Sequence, residues 1–408
     1  MSSAAAVRIG DSERSARLSL GLSCLGHLYA HLFAPIFYVV VLALDSELGL
    51  SHGETVSLIL AGNVLFGVAA PVAGWLGDRW SATGMISVFF VGTGTGMMLT
   101  GLATSPFQIA AALAVTGLFA SIYHPVGIAW LVRNARARGM ALGVNGVFGG
   151  VGPAVAAISA GVLTEVWGWR SAFLVPGAVV FATGGVFLWL VWRRWIVEVR
   201  EDRHREAPAT RRDAARAFTV LAVTMLCSGL IYQATQPALP KVFSERLADV
   251  LAGGVVGVSV LVAVVYLTAG ALQVLTGYLA DRYPMKTVYV TCYALQIPFL
   301  VLAAGAGGAE LVLVAIIMVS ANVGVLPAEN SLVARYAPSR WRGLAYGLKF
   351  VLAFGISGFG VRLEAAIYDR TGDFWWLFVA LATIAAVGVA AATLLPSERR
   401  TPAPAAAE

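Results

Sequence analysis

Twelve stretches of this chain are apolar for roughly 20 residues each, and that run length is what a helix needs to cross the hydrocarbon core of a bilayer. They are Leu18–Leu44, Thr55–Leu76, Gly84–Ala103, Phe107–Val132, Gly139–Thr164 and Ser171–Trp192 in the first half. In the second half they are Phe218–Pro240, Gly253–Leu279, Thr287–Ala304, Leu311–Val333, Gly343–Val361 and Phe374–Leu395. Charged residues make up 12% of the chain and hydrophobic residues 59%. A soluble domain carries about 25% charge, so this chain has too few charges to cover a water-facing surface. The period-2 alternation of a membrane barrel is absent, which leaves membrane helices and lipid as the surrounding partner.

The net charge of +6 does not point to nucleic acid, because its distribution is topological. The N-terminus, the even-to-odd connections and the C-terminus hold 22 of the 28 Lys and Arg, and the opposite connections hold 5. The positive-inside rule then places both termini in the cytoplasm. Ten acids, Asp45 and Glu47 among them, fall on the outer side. The first segment is too long, and lacks the small-residue cleavage site, for a removed signal peptide, so it is expected to stay as helix 1.

A short motif occurs twice. Gly74-Trp75-Leu76-Gly77-Asp78-Arg79 returns as Gly277-Tyr278-Leu279-Ala280-Asp281-Arg282, 203 residues later. Cys24 and Cys227 share that offset; they read as equivalent packing residues, and with Cys292 they support neither disulfide nor zinc. Arg138-Gly139-Met140-Ala141-Leu142-Gly143-Val144-Asn145 pairs with Arg342-Gly343-Leu344-Ala345-Tyr346-Gly347-Leu348-Lys349 at an offset of 204. The chain is therefore duplicated, helices 1–6 onto 7–12. The expected organisation is one six-helix bundle over 1–192, a charged cytoplasmic linker over 193–216 and a second bundle over 217–395. A Pro/Ala-rich disordered tail over 396–408 follows.

The motif, the topology and the repeat together resemble the major facilitator superfamily, whose loop between helices 2 and 3 reads roughly G-x-L-a-D-R-x-G-R-R. Gly74, Leu76, Asp78 and Arg79 match it, whereas Trp80-Ser81-Ala82-Thr83-Gly84 lacks the trailing basic pair. The resemblance implies an all-α membrane protein with two pseudo-symmetric six-helix bundles and a midplane site between them. It implies a monomeric, multi-pass secondary transporter of the bacterial inner membrane, without cofactor and not an enzyme. A second resemblance, to the fosmidomycin-resistance branch of drug exporters, rests on Gly26-His27-Leu28-Tyr29-Ala30-His31 and Tyr123-His124-Pro125. Gly152-Pro153 in helix 5 is similar to the flexible Gly-Pro element of proton-coupled antiporters, although Phe148 and Ala156-Ala157 stand where glycines are often found.

Ionisable groups inside membrane helices are costly and so mark function or pairing. Glu329 and Lys349 are the acid and the lysine placed well inside helices. Each lies six residues from a basic helix end, Arg335 and Gly343 marking the two boundaries. That is about 9 Å of depth on both helices, which permits an ion pair. Three readings stay open: structural neutralisation, an anion site on Lys349, or a proton switch at Glu329. The helix-11 lysine of the oxalate/formate antiporter family supports the anion reading by analogy.

His27 and His31 are i, i+4 and share a helix face. His124 lies at similar depth, with Tyr123 beside it, and the resembled fold puts helices 1, 4, 7 and 10 around its cavity. The imidazoles are read as converging near the midplane, to relay protons or hydrogen-bond a solute, against the plain alternative of satisfied packing residues. A metal site is not expected, since no carboxylate is near in sequence. Gln233 and Gln236 lie i, i+3 on helix 7, where Pro237 and Pro240 are expected to break the helix. Asn63 and Asn145 read as interhelical hydrogen-bonding residues. Asp78, Arg79, Asp281 and Arg282 are gating candidates under the resemblance, Asp78 against the start of helix 11.

These residues describe a secondary transporter moving a small solute by alternating access, proton-coupled, exporting a drug-like or metabolite molecule. An organic-anion transporter using Lys349 is the alternative. A non-transporting sensor or scaffold calls for a signalling domain or long tail, which a 24-residue linker and short ends do not provide. No G-x-x-x-x-G-K-[ST] motif is present to power the chain by ATP.

Overall fold

The computed structural model describes residues 9–135, 138–197, 211–248, 254–337 and 342–396, and these contain helices and turns with no strand. Eleven helices are long and apolar enough to cross a membrane, and a bent pair makes the twelfth. In the first half α1 is Ile9–Ala30 continued by Phe33–Leu48, and α2 is His52–Ser57, Leu60–Val68 and Ala70–Arg79. Next come α3, Ala82–Leu102, and α4, built of Pro106–Ala120, a π-turn at Tyr123–Gly127, and Ile128–Asn134. The half closes with α5, Arg138–Trp167, and α6, Trp169–Trp192.

In the second half α7 is Arg211–Arg246, α8 is Gly254–Arg282 and α9 is Met285–Gly305. Then α10 is Gly308–Val323 with Leu326–Tyr336. The next span, α11, runs Arg342–Phe350, a π-turn Val351–Ile356, a 3₁₀ turn Ser357–Phe359 and Gly360–Thr371. The last, α12, is Trp375–Thr393. The start of α7 at Arg211 falls inside the stretch read as linker. Residues 198–210 and 397–408, with most of that linker and the tail, lie outside the described residues.

The breaks in these spans have local causes. Pro71, with no N–H to donate, sits just past the 41° bend of α2. Pro125 sits inside the π-turn of α4, and Pro327 follows the break in α10. At His31–Leu32 the backbone of α1 changes to tighter i→i−3 bonds, His31 N to Leu28 O at 3.1 Å and Leu32 N to Tyr29 O at 3.2 Å. One expected break does not occur. Pro237 and Pro240 lie within a continuous α7. There α11 packs too closely for the chain to swing away: a Cβ added at Gly360 would stand 2.9 Å from Leu230 O and 3.1 Å from Ala234 N.

The two bundles meet along α2/α11 and α5/α8. Small residues allow both contacts, as in membrane helix packing generally. A Cβ on Gly67 would run into the backbone of Gly355, and one on Gly150 would lie 2.9 Å from the Cα of Gly270. The first bundle has an aromatic core, with Phe89, Phe90, Trp130 and Phe187 fully buried; Phe187 sits edge-on to Trp130 at 5.6 Å.

Candidate functional site

Two buried clusters lie on either side of the bundle interface, and α11 joins them. The first is built on α1 and α4. The rings of His27, His31 and His124 converge, with centroids 5.4 Å (27–31), 5.2 Å (27–124) and 5.1 Å (31–124) apart. The irregular backbone brings them there: His31 occupies the break in α1 and His124 the π-turn of α4. Room comes from α5, whose Gly149 lies against the His27 ring and whose Gly152 would place a Cβ 2.9 Å from the His31 Cβ.

Asn145 anchors this cluster. Its Nδ2 donates to Tyr123 Oη at 2.8 Å and to Ser23 Oγ at 3.2 Å. Its backbone carbonyl oxygen lies 2.8 Å from His27 Nδ1. A carbonyl can only accept, so Nδ1 carries the proton and Nε2 keeps its lone pair. Tyr123 donates to Ser23 O at 2.6 Å and stacks on His27 at 5.2 Å. Both ring nitrogens of His124 are buried without a partner. That ring stacks on Phe350 of α11 at 4.8 Å and meets the edge of Phe66 at 5.7 Å.

One residue before Phe350, Lys349 turns to the second bundle. Its Nζ lies 2.9 Å from Glu329 Oε1 and donates to Asn330 Oδ1. Tyr289 donates to Glu329 Oε2 at 2.9 Å. Glu329 is 1% exposed and Lys349 5%, so the pair has no water to rely on and its hydrogen bonds come from protein. Equal depth on α10 and α11, read from spacing, brings these two together as expected.

The glutamines stand apart from both clusters. Gln236 donates to Tyr232 Oη at 2.8 Å, and the buried Gln233 Nε2 has no partner. Their link to the histidines is indirect: Tyr232 meets Phe354 at 6.3 Å, and Phe354 stacks beside His124 at 6.4 Å. Asn63 donates to Tyr38 Oη at 2.9 Å, within one bundle. Pro153 lies inside the unbroken α5 next to Gly152.

Of the four gating candidates, Asp78 is held by Arg133 at the end of α4, 3.3 Å away. The side chains at the start of helix 11, the partner expected for Asp78, lie outside the described residues. The Asp78–Arg133 contact lies within one bundle, and α11 meets α2 further in, where a Cβ added at Gly347 would lie 3.2 Å from Pro71 Cγ. Arg79 lies over Trp75 and Arg282 over Tyr278. Among the described residues Asp281 has no ion-pair partner.

At the opposite end the structure shows a cross-bundle network that sequence reading missed. Ser51 caps the first turn of α2 by accepting from Glu54 N at 3.1 Å, and its own proton goes to Asp369 Oδ2 at 2.9 Å. The Gly53 N–H reaches the other carboxylate oxygen at 2.9 Å. His52 lies 3.3 Å from Asp45 through Nδ1 and 3.0 Å from Glu364 through Nε2. Lys241 of α7 sits 3.6 Å from Asp45, and Arg362 donates to Ser57 Oγ at 3.0 Å. Glu364 is fully buried, which adds a third buried charge to the two expected. His52 and Glu364 lie three residues outside the apolar segments Thr55–Leu76 and Gly343–Val361.

Comparison with known proteins agrees with this architecture. The family model for the Major Facilitator Superfamily matches residues 22–265 and 221–408. The chain belongs to that superfamily. The sialic acid transporter NanX of Escherichia coli (strain K12) is 24% identical, over 90% of this chain and 93% of NanX. The fosmidomycin resistance protein of the same organism is 23% identical over 86% of each chain. The fold matches an inward-facing, unoccupied bacterial homologue of the human lysosomal transporter Spinster. That match has a TM-score of 0.67 at 15% identity and covers 93% of this chain and 95% of that one. This superfamily member is a multi-pass membrane transporter of small molecules, and not an enzyme.

Proposed function

We propose that this transporter is a proton-coupled exporter of a small drug-like or metabolite solute, working by alternating access as a monomer in a bacterial inner membrane. The observation that carries the reading is the Glu329–Lys349 pair, buried at 2.9 Å and one residue from the ring that covers His124. A proton on Glu329 removes the attraction holding Lys349 and leaves an ammonium seeking an oxygen at the bundle interface. Proton binding and interface packing are thereby linked, which is what coupling requires. The likeness to the fosmidomycin resistance protein supports export.

With the termini cytoplasmic, the His52 network lies on the outer side. Opening outward breaks Ser51–Asp369, His52–Glu364 and Arg362–Ser57 together. The test is transport in everted vesicles or proteoliposomes under an imposed proton gradient, over a panel of antibiotics and organic acids. Glu329→Gln is expected to abolish gradient-driven accumulation while keeping solute exchange. Full gradient-driven accumulation by that variant would remove Glu329 from coupling.

A second reading, organic-anion transport, is favoured by the oxygen ligands of Lys349. A solute carboxylate can replace Glu329 Oε1 once Glu329 is neutral, and the relative NanX carries an acid by name. Lys349→Gln separates the readings: unchanged, selective anion transport by this variant would exclude Lys349 as the anion site.

A further inference from the structure

We propose that His27, His31 and His124 form a three-imidazole binding site for a first-row transition-metal cation of the zinc class. The fourth position is left to water or an anionic oxygen. This goes beyond the transport reading and stands or falls apart from it. It also departs from the expectation drawn from sequence, which looked for a carboxylate nearby.

Four observations point to a metal. One ring nitrogen of each histidine lies within 4.8 Å of those of the other two. The N–N edge of a tetrahedral site with Zn–N near 2.0–2.1 Å is about 3.3 Å, so rings already gathered need close by at most about 1.5 Å. The His27 Nδ1–H donates to the Asn145 carbonyl at 2.8 Å, which fixes the tautomer and leaves Nε2 as the base. Metal-bound histidines are almost always oriented by such a bond through their other nitrogen. His124 has both nitrogens buried and unpartnered. A buried polar atom without a partner costs about 1–3 kcal/mol, and a cation answers it where no protein donor or acceptor does. Finally, Gly149 and Gly152 let α5 pack directly on the His27 ring and on α1 beside His31, where any Cβ would clash, and so hold the rings in their gathered positions.

The ligand set selects the metal class. Neutral imidazoles suit zinc, copper, nickel and iron, whereas magnesium and calcium require oxygen. Three imidazoles with an open position match the open type of zinc site. Burying two positive charges without a carboxylate is costly, so an anionic oxygen in the fourth position is the natural complement.

The experiment uses the full chain, purified without a polyhistidine tag in detergent or nanodiscs, and titrated with Co²⁺ and then Zn²⁺. The expected result is one Co²⁺ per chain with the visible absorption of tetrahedral coordination, displaced by Zn²⁺. His31→Ala and His124→Ala should each weaken binding by roughly 10–100-fold or more. No such band, or full-affinity binding by the His31→Ala, His124→Ala double variant, overturns the site. X-ray absorption of the Zn²⁺-loaded wild-type chain serves where variants fail to fold. Three imidazole scatterers near 2.0 Å support the site, and an oxygen-only shell overturns it.

Discussion

Asn145 and Lys349 occupy equivalent places in the two halves, eighth from the start of their aligned motifs, and each is the polar hub of its bundle. Asn145 holds an uncharged set: Tyr123, Ser23 and, through its carbonyl, His27. Lys349 holds a charged set, Glu329 and Asn330. The first hub leaves imidazole nitrogens open and the second leaves its charges saturated. At the 203-residue offset the positions of His27, His31 and His124 are filled by Leu230, Ala234 and Pro327. Duplication thus preserved where a polar hub sits on the fifth helix of each half, and divergence chose its chemistry. A neutral hub can offer ligand atoms; a charged hub in a membrane must spend its hydrogen bonds on its own neutralisation.

The comparison breaks most sharply at the charged hub. Lys349→Ala leaves Glu329 buried with Tyr289 as its remaining donor from this set. Losing one partner of a buried pair costs about 3–5 kcal/mol, whereas replacing both with uncharged groups of similar volume is close to neutral. Thermal unfolding in detergent should therefore show a large drop for Lys349→Ala. The Lys349→Met, Glu329→Gln double variant should recover most of it. If the double variant melts as low as the single, charge neutralisation is not what this hub does.

Asn145→Ala should cost less, about 1 kcal/mol or somewhat more, because the hydrogen bonds lost are neutral and those within membranes are individually weak. Its distinguishing readout is local. Without Asn145 Nδ2, Tyr123 keeps Ser23, and the backbone carbonyl still orients His27. Loss of stability as large as for Lys349→Ala would mean that the first hub also carries hidden charge.

Much of this contrast was legible from sequence, for reasons particular residues make plain. Charges are so rare in these helices that Glu329 and Lys349 stood out, and 1.5 Å of rise per residue gave their common depth. His27 and His31 at i, i+4 announced one face, and similar counting brought in His124. The gaps have physical causes too. Asn145 reads alone as one more helix amide; its role depends on the facing of α1 and α4, a rotation that spacing does not fix. His52 and Glu364 lie where apolar runs fade, and end-of-helix charges are ordinarily solvated. Pro237 and Pro240 obeyed close packing by Gly360 over local preference, and Asp78 found Arg133 because α4 ends beside α2.

The smallest effect belongs to the repeated motif itself. Asp78 is 70% exposed and its partner Arg133 15%, so their ion pair is worth about 0–1 kcal/mol. Asp281, in the same place of the second half, has no ion-pair partner among the described residues. Asp78→Asn should therefore lower the melting temperature slightly, by an amount that added salt reduces in the wild type, and Asp281→Asn should not lower it at all. Because the Asp78–Arg133 contact stays within one bundle, a movement of one bundle against the other need not break it. A gate that opens between bundles must break contacts of the Ser51–Asp369 kind instead. Transport rates sharpen the point: Asp369→Asn, which weakens acceptance from Ser51 Oγ and Gly53 N, should change the rate of outward opening more than Asp78→Asn does. The reverse order would return the gate to the motif and make the two ends of α2 exchange roles.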